Sequence, residues 1–245
     1  MAEAITVREY GPSSVLKAET VEIGVPGPGE LRIQQTAIGV NYHDVYVRSG
    51  LYKTLVLPGV PGCEAAGEVV AIGPGVNDFQ IRDRVAYVTS AYGAYASERL
   101  LPAVQALKLP DTVSDLLAGT KLLRALTVEM LLCRAHRIEA GLTILVHAAA
   151  GGVGRLLCQW AAHIGSTVIG TVGSEDKAAA AKASGCAHTI LYRETDFKAA
   201  VMEITNGRGV DVAYDSVGAD TFSSSLKCLA PCGHLVNYGQ SSGPV

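Results

Sequence analysis

The sequence predicts an α/β protein of two domains, and three features support this prediction. Residues 1–115 contain short extended runs separated by glycine and proline, which is typical of a small antiparallel β-barrel. Residues 116–245 alternate between strand-like and helix-like segments, which indicates a parallel sheet with helices on both faces. The chain has 245 residues, which is enough for two domains that each bury a core.

The first domain is predicted to consist mainly of strands. Its clearest extended runs, each bordered by a glycine or proline turn or by a charged bend, are residues 31–40, 68–72 and 84–88. After a connector at residues 109–112, either Thr112 or Ser114 can cap a helix that continues to about His136.

The second domain is predicted to be a Rossmann-type dinucleotide fold. Its strands are predicted at residues 143–148, 167–172, 189–192, 210–214 and 234–238. The helices between and around them are predicted at residues 152–164, 175–184, 196–205 and 220–229. A fold of this type usually has six strands, and the chain stops at Val245, where the sixth would be expected.

Composition and charge narrow the classes of function. A net charge of −3 argues against nucleic-acid binding, which needs a basic face. The chain contains neither an apolar signal segment nor a run of about 18 apolar residues, so we expect a cytoplasmic protein without a membrane partner. The six cysteines are scattered, which favours buried reduced thiols over a disulfide framework or a zinc knuckle. Small molecules are therefore the expected partners.

Residues 149–154, AAGGVG, lie between a predicted strand and a predicted helix. In the G-x-G-x-x-G pattern, the second glycine lets the backbone approach a pyrophosphate and the third lets the helix pack closely on the strand. Gly151 and Gly154 occupy these two positions, whereas Ala149 replaces the first glycine. Because further strand–helix units follow, we interpret this segment as a nucleotide-binding turn rather than a purely structural one.

The residues after the second strand of this domain are expected to determine whether the protein binds NAD or NADP. A carboxylate there would bind the ribose 2′-hydroxyl of NAD, and a cation would bind the 2′-phosphate of NADP. Gly173 and Ser174 follow the strand and Lys177 lies one helical turn further, which favours NADPH. Glu175 and Asp176 leave two alternatives open: a displaced NAD carboxylate, or acids that stabilise the start of a helix.

Seven stretches of the chain, taken in order, resemble one protein family. They are residues 37–52, 61–67, 126–127, 147–154, 170–177, 211–218 and 238–243. The family is that of the zinc-independent, zeta-crystallin-like quinone oxidoreductases of the medium-chain dehydrogenase/reductase superfamily. The resemblance implies a GroES-like barrel followed by a Rossmann domain, with the active site in the cleft between them. A homodimer formed through sixth strands is usual in the family, and these residues offer no sixth strand for it.

The resemblance also assigns residues to the cofactor. Those toward the nicotinamide end are Asn41, Tyr46 and Thr127. Those around the pyrophosphate are Ala150, Gly151, Gly152 and Val153. Those around the 2′-phosphate are Gly173, Ser174, Lys177 and Tyr192. Those along the nicotinamide and its ribose, after the fourth and fifth strands, are Ser216, Tyr238, Gly239, Gln240 and Ser241.

Three residues are predicted to take part in catalysis. Tyr46 and Tyr52 are suited to stack on a planar acceptor or to donate a hydrogen bond to its oxygen, and Asn41 is suited to the second role. Tyr52 can equally be an aromatic residue at the rim of the barrel. The predicted reaction is hydride or electron transfer from NADPH to a quinone or an activated enone, without a metal.

A metal site is the main alternative chemistry. Zinc-dependent relatives carry a histidine before the glutamate of a G-H-E motif, and Cys63 occupies that position here. Cys63, His43 and Glu64 could then act as zinc ligands, as in a zinc alcohol dehydrogenase. We expect no metal because no further cysteine lies at a suitable position, and we interpret Glu64 as a brace for its loop.

The resemblance ends at the C-terminus, since family members continue beyond a sequence like residues 242–245. We therefore interpret the chain as lacking the family's C-terminal part. This interpretation leaves an alternative function: a weakly active or inactive NADPH-binding protein with a crystallin-like or RNA-binding role. Three arginines also depart from the family, and one of them, Arg82, stands where glycine is common. Arg124 stands where lysine is common, and Arg155, beside the glycine turn, can supplement phosphate binding or extend into solvent, which we favour.

Overall fold

The computed structural model describes all 245 residues, which form two compact units. Unit 1 is Met1–Leu123 and unit 2 is Arg124–Val245. The two units divide within a helix, whereas the predicted boundary between residues 115 and 116 lies where that helix begins. No helix is both long enough and apolar enough to cross a membrane.

Unit 1 consists mainly of short strands. They are β1 (Ala2–Thr6), β2 (Lys17–Val21), β3 (Glu30–Ile38), β4 (Glu64–Ile72), β5 (Arg84–Val88), β6 (Glu98–Pro102) and β7 (Leu107–Lys108). Its helices are α1 (Tyr42–Ser49) and the first part of α2 (Asp115–Glu129), which continues into unit 2.

Five of these strands form one sheet in the order β6-β3-β4-β5-β7, and all its strand pairs are antiparallel. Leu31 and Ile33, alternate residues of β3, are fully buried and pack in one core with Val85 and Tyr87 of β5. The predicted antiparallel β domain is therefore confirmed. Strand β5 has the predicted bounds, and β4 begins earlier than predicted, at Glu64.

Helix α1 is absent from the sequence prediction because its tyrosines and valines favour strands. A local capping interaction overrides this preference: the backbone N–H of Asn41 donates to the carboxylate of Asp44 at 2.8 Å. Gly50 ends the helix with a left-handed φ of 83°, a conformation that glycine adopts without steric cost. The Asn-x-x-Asp spacing was the available signal for this helix.

Helix α2 begins after Ser114, whose hydroxyl oxygen accepts the backbone N–H of Leu117 at 3.2 Å. Of the two predicted caps, Ser114 therefore performs this role and Thr112 does not. The regular helix ends at Glu129, and residues 130–135 continue as a π-helix. The single long helix of the prediction is thus two helical segments of different geometry.

Unit 2 alternates strands and helices. The strands are β8 (Thr143–Val146), β9 (Thr167–Val172), β10 (His188–Leu191), β11 (Val210–Asp215) and β12 (Leu229–Asn237). The helices are α3 (Gly152–Ile164), α4 (Glu175–Ala183), α5 (Phe197–Ile204) and α6 (Phe222–Leu226). The strands form one parallel sheet in the order β10-β9-β8-β11-β12, which confirms the predicted Rossmann-type domain of five strands.

Helix α3 and strand β9 have the predicted bounds. The elements β10, β11, α4 and α5 differ from the prediction by one residue at one or both ends, and β8, β12 and α6 differ by more. Strand β8 ends at Val146, earlier than predicted, because the chain turns at Ala148, whose φ is 51°. Strand β12 begins earlier than predicted, at Leu229, and its register against β11 shifts between Val210 and Val212. Helix α6 is shorter than predicted at both ends, because residues 220 and 221 form a turn before it and residues 227 and 228 form a turn that leads into β12.

Alternate residues of β8 face the two sides of the sheet. Ile144 and Val146 pack in the core that includes residues of α3 and α4, whereas Leu145 packs on the opposite face with Val201 of α5. All four side chains are fully buried. Helices therefore cover both faces of the sheet, which leaves its carboxyl edge as the place where loops gather.

The N-terminal half of α2 lies directly against the sheet of unit 1 at Gly119. A Cβ at this position would lie 2.5 Å from the backbone oxygen of Ala37 and 2.7 Å from the backbone nitrogen of Ala66. Both atoms belong to the main chain of paired strands, so neither can move aside without disturbing the β3–β4 ladder. Gly119 is therefore required by close packing.

Replacing Gly119 by alanine tests two effects of opposite sign. Helix propensity alone would stabilise the protein by about 1 kcal/mol, whereas forcing a methyl group into a packed contact typically costs about 1–3 kcal/mol. Because the obstructing atoms are backbone, we expect G119A to lower the free energy of unfolding, measured by urea denaturation. Lys121→Ala, at an exposed position of the same helix, is the control and should change it by less than about 0.5 kcal/mol. A G119A variant more stable than the parent would contradict the packing argument.

Candidate functional site

The predicted cofactor residues of unit 2, apart from Thr127 on α2, lie along one edge of its sheet. Tyr192 follows β10, Gly173 follows β9, the glycine turn follows β8, Ser216 follows β11 and Tyr238 follows β12. Because the strands are parallel, all of these residues lie at the carboxyl edge. Open α/β sheets bind ligands at this edge, beside the point where the strand order reverses, which is between β8 and β11 here.

The turn after β8 combines one strained residue with two close contacts. Ala148 adopts the left-handed region, which costs a residue with a Cβ about 1–2 kcal/mol. The buried side chain of Ala149 fits because Gly170 of β9 lies opposite: a Cβ on Gly170 would be 2.6 Å from that of Ala149. A Cβ on Gly154 would be 2.3 Å from the carbonyl oxygen of Ala148. Alanine can therefore replace the first glycine of the pattern, and Gly154 packs α3 against the turn.

Helix α3 begins directly after this turn, with Gly151 as its exposed N-cap. The backbone N–H groups of Gly152 and Val153 belong to the first helical turn, where no intrahelical acceptor exists. These groups and the positive end of the helix dipole form a site suited to an anion. Gly151 and Gly152 add no side chain of their own here, and the side chain that lies against Gly152 is the cationic Arg124.

The residues predicted to bind a 2′-phosphate lie at the ends of β9 and β10. A Cβ on Gly173 would be 2.9 Å from the Tyr192 hydroxyl oxygen, so that ring lies against the glycine. Ser174 is the N-cap residue of α4, but its side chain makes no capping hydrogen bond. Lys177 extends from the first turn of α4 and is exposed. The structure thus brings these four residues into one neighbourhood.

The residues predicted along the nicotinamide form two turns in direct main-chain contact. A Cβ on Gly239 would be 2.7 Å from the carbonyl oxygen of Ser216. The N–H of Tyr238 donates to the carbonyl of Asp215 at 2.8 Å, and the N–H of Ser241 donates to that of Ser216 at 3.3 Å. The fully buried Asp215 carboxylate accepts the N–H groups of the two residues after Ser216. Residues 238–241, including Gln240, are therefore held beside the end of β11.

A buried histidine joins the glycine turn to its neighbours. His147 Nδ1 lies 2.9 Å from Thr171 Oγ1 of β9, and its Nε2 lies 2.8 Å from Ser225 Oγ of α6. Because the Ser225 hydroxyl donates to the carbonyl of Thr221, it accepts from His147 Nε2–H, and Nδ1 accepts from Thr171. Burial lowers the pKa of His147 to about 4, so the ring is neutral at pH 7.

In unit 1, Asn41 is bound to two buried carboxylates. Its side-chain Nδ2 donates to Glu64 Oε1 at 2.7 Å, and its backbone N–H donates to Asp44. The other oxygen of Glu64 accepts the backbone N–H of Leu123 at 2.8 Å, so Glu64 is the brace that the sequence analysis describes. Nδ2 carries two hydrogens, and the contact with Glu64 fixes the direction of the second.

Tyr46 and Tyr52 belong to an aromatic cluster of unit 1. Their ring centroids are 5.1 Å apart, Tyr42 meets Tyr46 edge to face at 5.2 Å, and His43 lies 5.6 Å from Tyr52. Tyr46 is 9% exposed, whereas Tyr52 is half-buried. Tyr52 therefore offers more surface to a planar ligand, and Tyr46 supports its ring.

The three candidate zinc ligands have separate partners. His43 Nε2 lies 3.2 Å from the hydroxyl of Tyr92, Cys63 Sγ lies 3.9 Å from Asp44 Oδ1, and Glu64 is engaged as described above. Burial, reinforced by the negative charge of Asp44, raises the pKa of Cys63 to about 12. No group of three His, Cys, Asp or Glu side chains in the chain is arranged to hold a metal ion.

Sequence reasoning missed two residues at the glycine turn. The role of His147 depends on partners distant in sequence, on β9 and α6, so only its place inside the turn motif could have drawn attention to it. Arg124 lies on α2, three positions before the half-buried Thr127, and contacts Gly152. The sequence offered two signals for it: a basic residue near Thr127, and the lysine that is common at this position in the family.

Family comparisons match the two units separately. The alcohol dehydrogenase GroES-like domain matches residues 27–111, and the zinc-binding dehydrogenase domain matches residues 152–245. An antiparallel β unit followed by a Rossmann-type unit with a glycine turn defines the class of medium-chain dehydrogenases and reductases.

Comparisons with individual proteins narrow this class to one family. A quinone oxidoreductase of Pseudomonas aeruginosa is 44% identical over 245 residues, which cover 100% of this chain and 75% of that protein. A 2-haloacrylate reductase of Burkholderia is 44% identical over 248 residues, which cover 99% of this chain and 74% of that protein. The structure of Escherichia coli quinone oxidoreductase complexed with NADPH matches with a TM-score of 0.97 at 43% identity, and the match covers 100% of this chain and 75% of that one.

The chain belongs to the quinone oxidoreductase family of the medium-chain dehydrogenase/reductase superfamily. These comparisons confirm the family, the fold class and the enzyme class that are predicted from the sequence.

His147 gives unit 2 a specific pH dependence of stability. Its folded pKa of about 4 lies below the unfolded value of about 6.5, so between these pH values the unfolded state binds more protons. The stabilisation is fully present above about pH 6.5 and is lost as the pH falls toward 4, by up to about 3 kcal/mol. We expect His147→Gln to remove this part of the slope in urea unfolding measured from pH 4.5 to 7.5. The control, His163→Gln at an exposed position of α3, should keep the parent's slope, and an H147Q variant that also kept it would contradict the assignment.

Proposed function

We propose that the chain binds NADPH along the carboxyl edge of its Rossmann sheet and uses it to reduce quinones or activated alkenes without a metal. One observation carries this proposal: the residues predicted for the 2′-phosphate, for the pyrophosphate and for the nicotinamide ribose follow all five parallel strands at a single edge. Across the sheet, their order corresponds to 2′-phosphate, pyrophosphate and nicotinamide. The relative from Escherichia coli, whose structure contains NADPH, supports the same cofactor here.

Ser174 and Lys177 are the residues that we assign to the 2′-phosphate. Both are exposed at the start of α4, and the Ser174 hydroxyl is not used to cap the helix. A hydroxyl donor and an ammonium group suit a phosphate ester better than the ribose hydroxyl of NAD. Glu175 and Asp176 occupy the first turn of α4, where the helix dipole favours acids, which supports their interpretation as helix-stabilising residues.

The rest of the edge fits a dinucleotide. When bound, NADPH supplies the hydride, and the protein supplies orientation and a site that excludes water. The first-turn N–H groups of Gly152 and Val153 would hold the pyrophosphate, because they have no intrahelical acceptor and face the positive end of the helix dipole. Ser216 and residues 238–241 would hold the nicotinamide and its ribose, since hydrogen bonds already fix these two turns against each other.

Asn41 and Tyr52 are the residues that we assign to the acceptor. Reduction of a quinone or an enone develops negative charge on an oxygen, which a fixed hydrogen-bond donor stabilises. Asn41 is suited to this because Glu64 fixes its amide, and its second N–H remains as a donor. The Burkholderia relative, a 2-haloacrylate reductase, supports including activated alkenes among the acceptors.

Chemistry without a metal is supported by the state of the candidate ligands. Glu64 is committed to Asn41 and Leu123, and His43 to Tyr92. Quinones accept hydride readily, so their reduction does not require a Lewis acid.

Lys177→Ala tests the cofactor assignment. We expect the parent to bind NADPH more tightly than NADH in a fluorescence titration. The variant should lose roughly tenfold or more in affinity for NADPH and keep its affinity for NADH, because only NADPH carries the 2′-phosphate. Lys182→Ala, an exposed lysine in the last turn of the same helix, is the matched control and should behave as the parent. Equal affinities of the parent for the two cofactors would rule out the 2′-phosphate assignment.

Turnover with an artificial acceptor tests the reaction. We expect the purified chain to oxidise NADPH in the presence of benzoquinone, monitored by the loss of nicotinamide absorbance. Treatment with a chelator should leave the rate unchanged, and elemental analysis should find no stoichiometric zinc. If NADPH binds but several quinones give no oxidation, the chain is a binding protein rather than a reductase. Loss of activity with the chelator, restored by zinc, would instead support the metal-dependent alternative.

A further inference from the structure

One cationic side chain lies against the glycine turn of unit 2. If Gly152 carried a Cβ, that atom would be 2.8 Å from Nε and 2.9 Å from Cζ of Arg124. The guanidinium therefore packs directly on the main chain of the first residue of α3. Gly152 is exposed, so this contact lies at the surface that an anion would use to approach the helix N-terminus.

The position of Arg124 follows from the packing of α2. Val128 lies one helical turn later on the same face and is fully buried in the core of unit 2. Thr127, which the family resemblance assigns to the cofactor, lies beside Val128 on that face. Arg124 lies one turn before Val128, and helical side chains lean toward the N-terminus of their helix. The Arg124 side chain therefore extends beyond the core and reaches the glycine turn.

We propose that Arg124 is a cofactor-binding residue that recognises the pyrophosphate, an inference that rests on the function proposed above. The N–H groups at the start of α3 supply only the partial charge of a helix dipole, about +0.5. A guanidinium adds a full positive charge and can donate to two phosphate oxygens at once. In the site defined by Gly152 and Val153, Arg124 supplies the charge that the glycine turn itself lacks.

This role differs from that of Lys177 in a measurable way. NADPH and NADH share the pyrophosphate, so Arg124 should contribute equally to both, whereas Lys177 should contribute to NADPH alone. The chain also provides a matched arginine. Arg155 lies in the first turns of α3, but its Nε donates to Ser184 Oγ at 3.3 Å, at the far end of α4. Arg155 is therefore close to the turn in sequence, whereas its guanidinium is bound at the end of α4.

The test measures dissociation constants of NADPH and NADH by fluorescence titration for the parent, R124A, R124K, R155A and K177A. We expect R124A to weaken both cofactors by the same factor, roughly 10- to 100-fold, which leaves their ratio unchanged. R124K should recover part of this loss because it retains the charge but not the bidentate geometry. R155A should match the parent, and K177A should weaken NADPH only.

A second ligand separates recognition from damage to the fold. Adenosine 2′-monophosphate has no pyrophosphate, so R124A should bind it as the parent does, measured by competition with NADPH. A general loss of structure would weaken this ligand as well and would lower the melting temperature, and that result would overturn the proposed role.

Three other outcomes would overturn either the role of Arg124 or the proposed function. Parent-like binding of both dinucleotides by R124A would overturn the inference and leave the proposed function intact. Tighter binding by R124A would overturn it as well, because Arg124 would then obstruct the turn. Failure of the parent to bind either dinucleotide would overturn the proposed function itself, and the role of Arg124 with it.

Discussion

Close packing between α3 and the strands beneath it is the constraint on which the site of unit 2 depends. At Gly154 the helix approaches the carbonyl of Ala148 so closely that no Cβ can be accommodated, and at Gly170 strand β9 makes room for Ala149. These two contacts fix where the helix begins and hence where its unpaired N–H groups point. The left-handed Ala148 is the local cost of this geometry, and a strained residue beside a ligand-binding turn is a common arrangement.

Buried hydrogen bonds also stabilise the same turn. His147 is 1% exposed and still satisfies both ring nitrogens, one through Thr171 and one through Ser225. An apolar side chain there would fill space without defining orientation, whereas two hydrogen bonds with different partners tie the end of β8 to β9 and α6. Its neutral state is part of this arrangement, because an imidazolium has no acceptor nitrogen and could not accept the Thr171 hydroxyl.

Much of the fold could be predicted from sequence because hydrophobic periodicity marks buried strands and amphipathic helices: α3, β5 and β9 have the predicted bounds. Errors arose where local chemistry overrode periodicity, as at α1, where the cap at Asn41 starts a helix in residues that favour strands. The glycine turn and the cluster around Lys177 could be located by spacing. The contact between Arg124 and Gly152 could not, because it depends on how a distant helix packs on the core.

Recognition of an anionic cofactor by this chain has to be local, because its net charge is −3 and its overall field does not favour anions. The positive groups lie close to the proposed phosphate positions, so that they attract phosphate over a short distance. They are the N-terminus of α3, Arg124 against the glycine turn, and Lys177 at the start of α4. Glu175 and Asp176 precede Lys177, stabilise the helix start and lower the local potential. In the proposed 2′-phosphate site, a phosphate would therefore gain only by direct contact with Ser174 and Lys177, and selectivity would depend on hydrogen-bond geometry more than on long-range attraction.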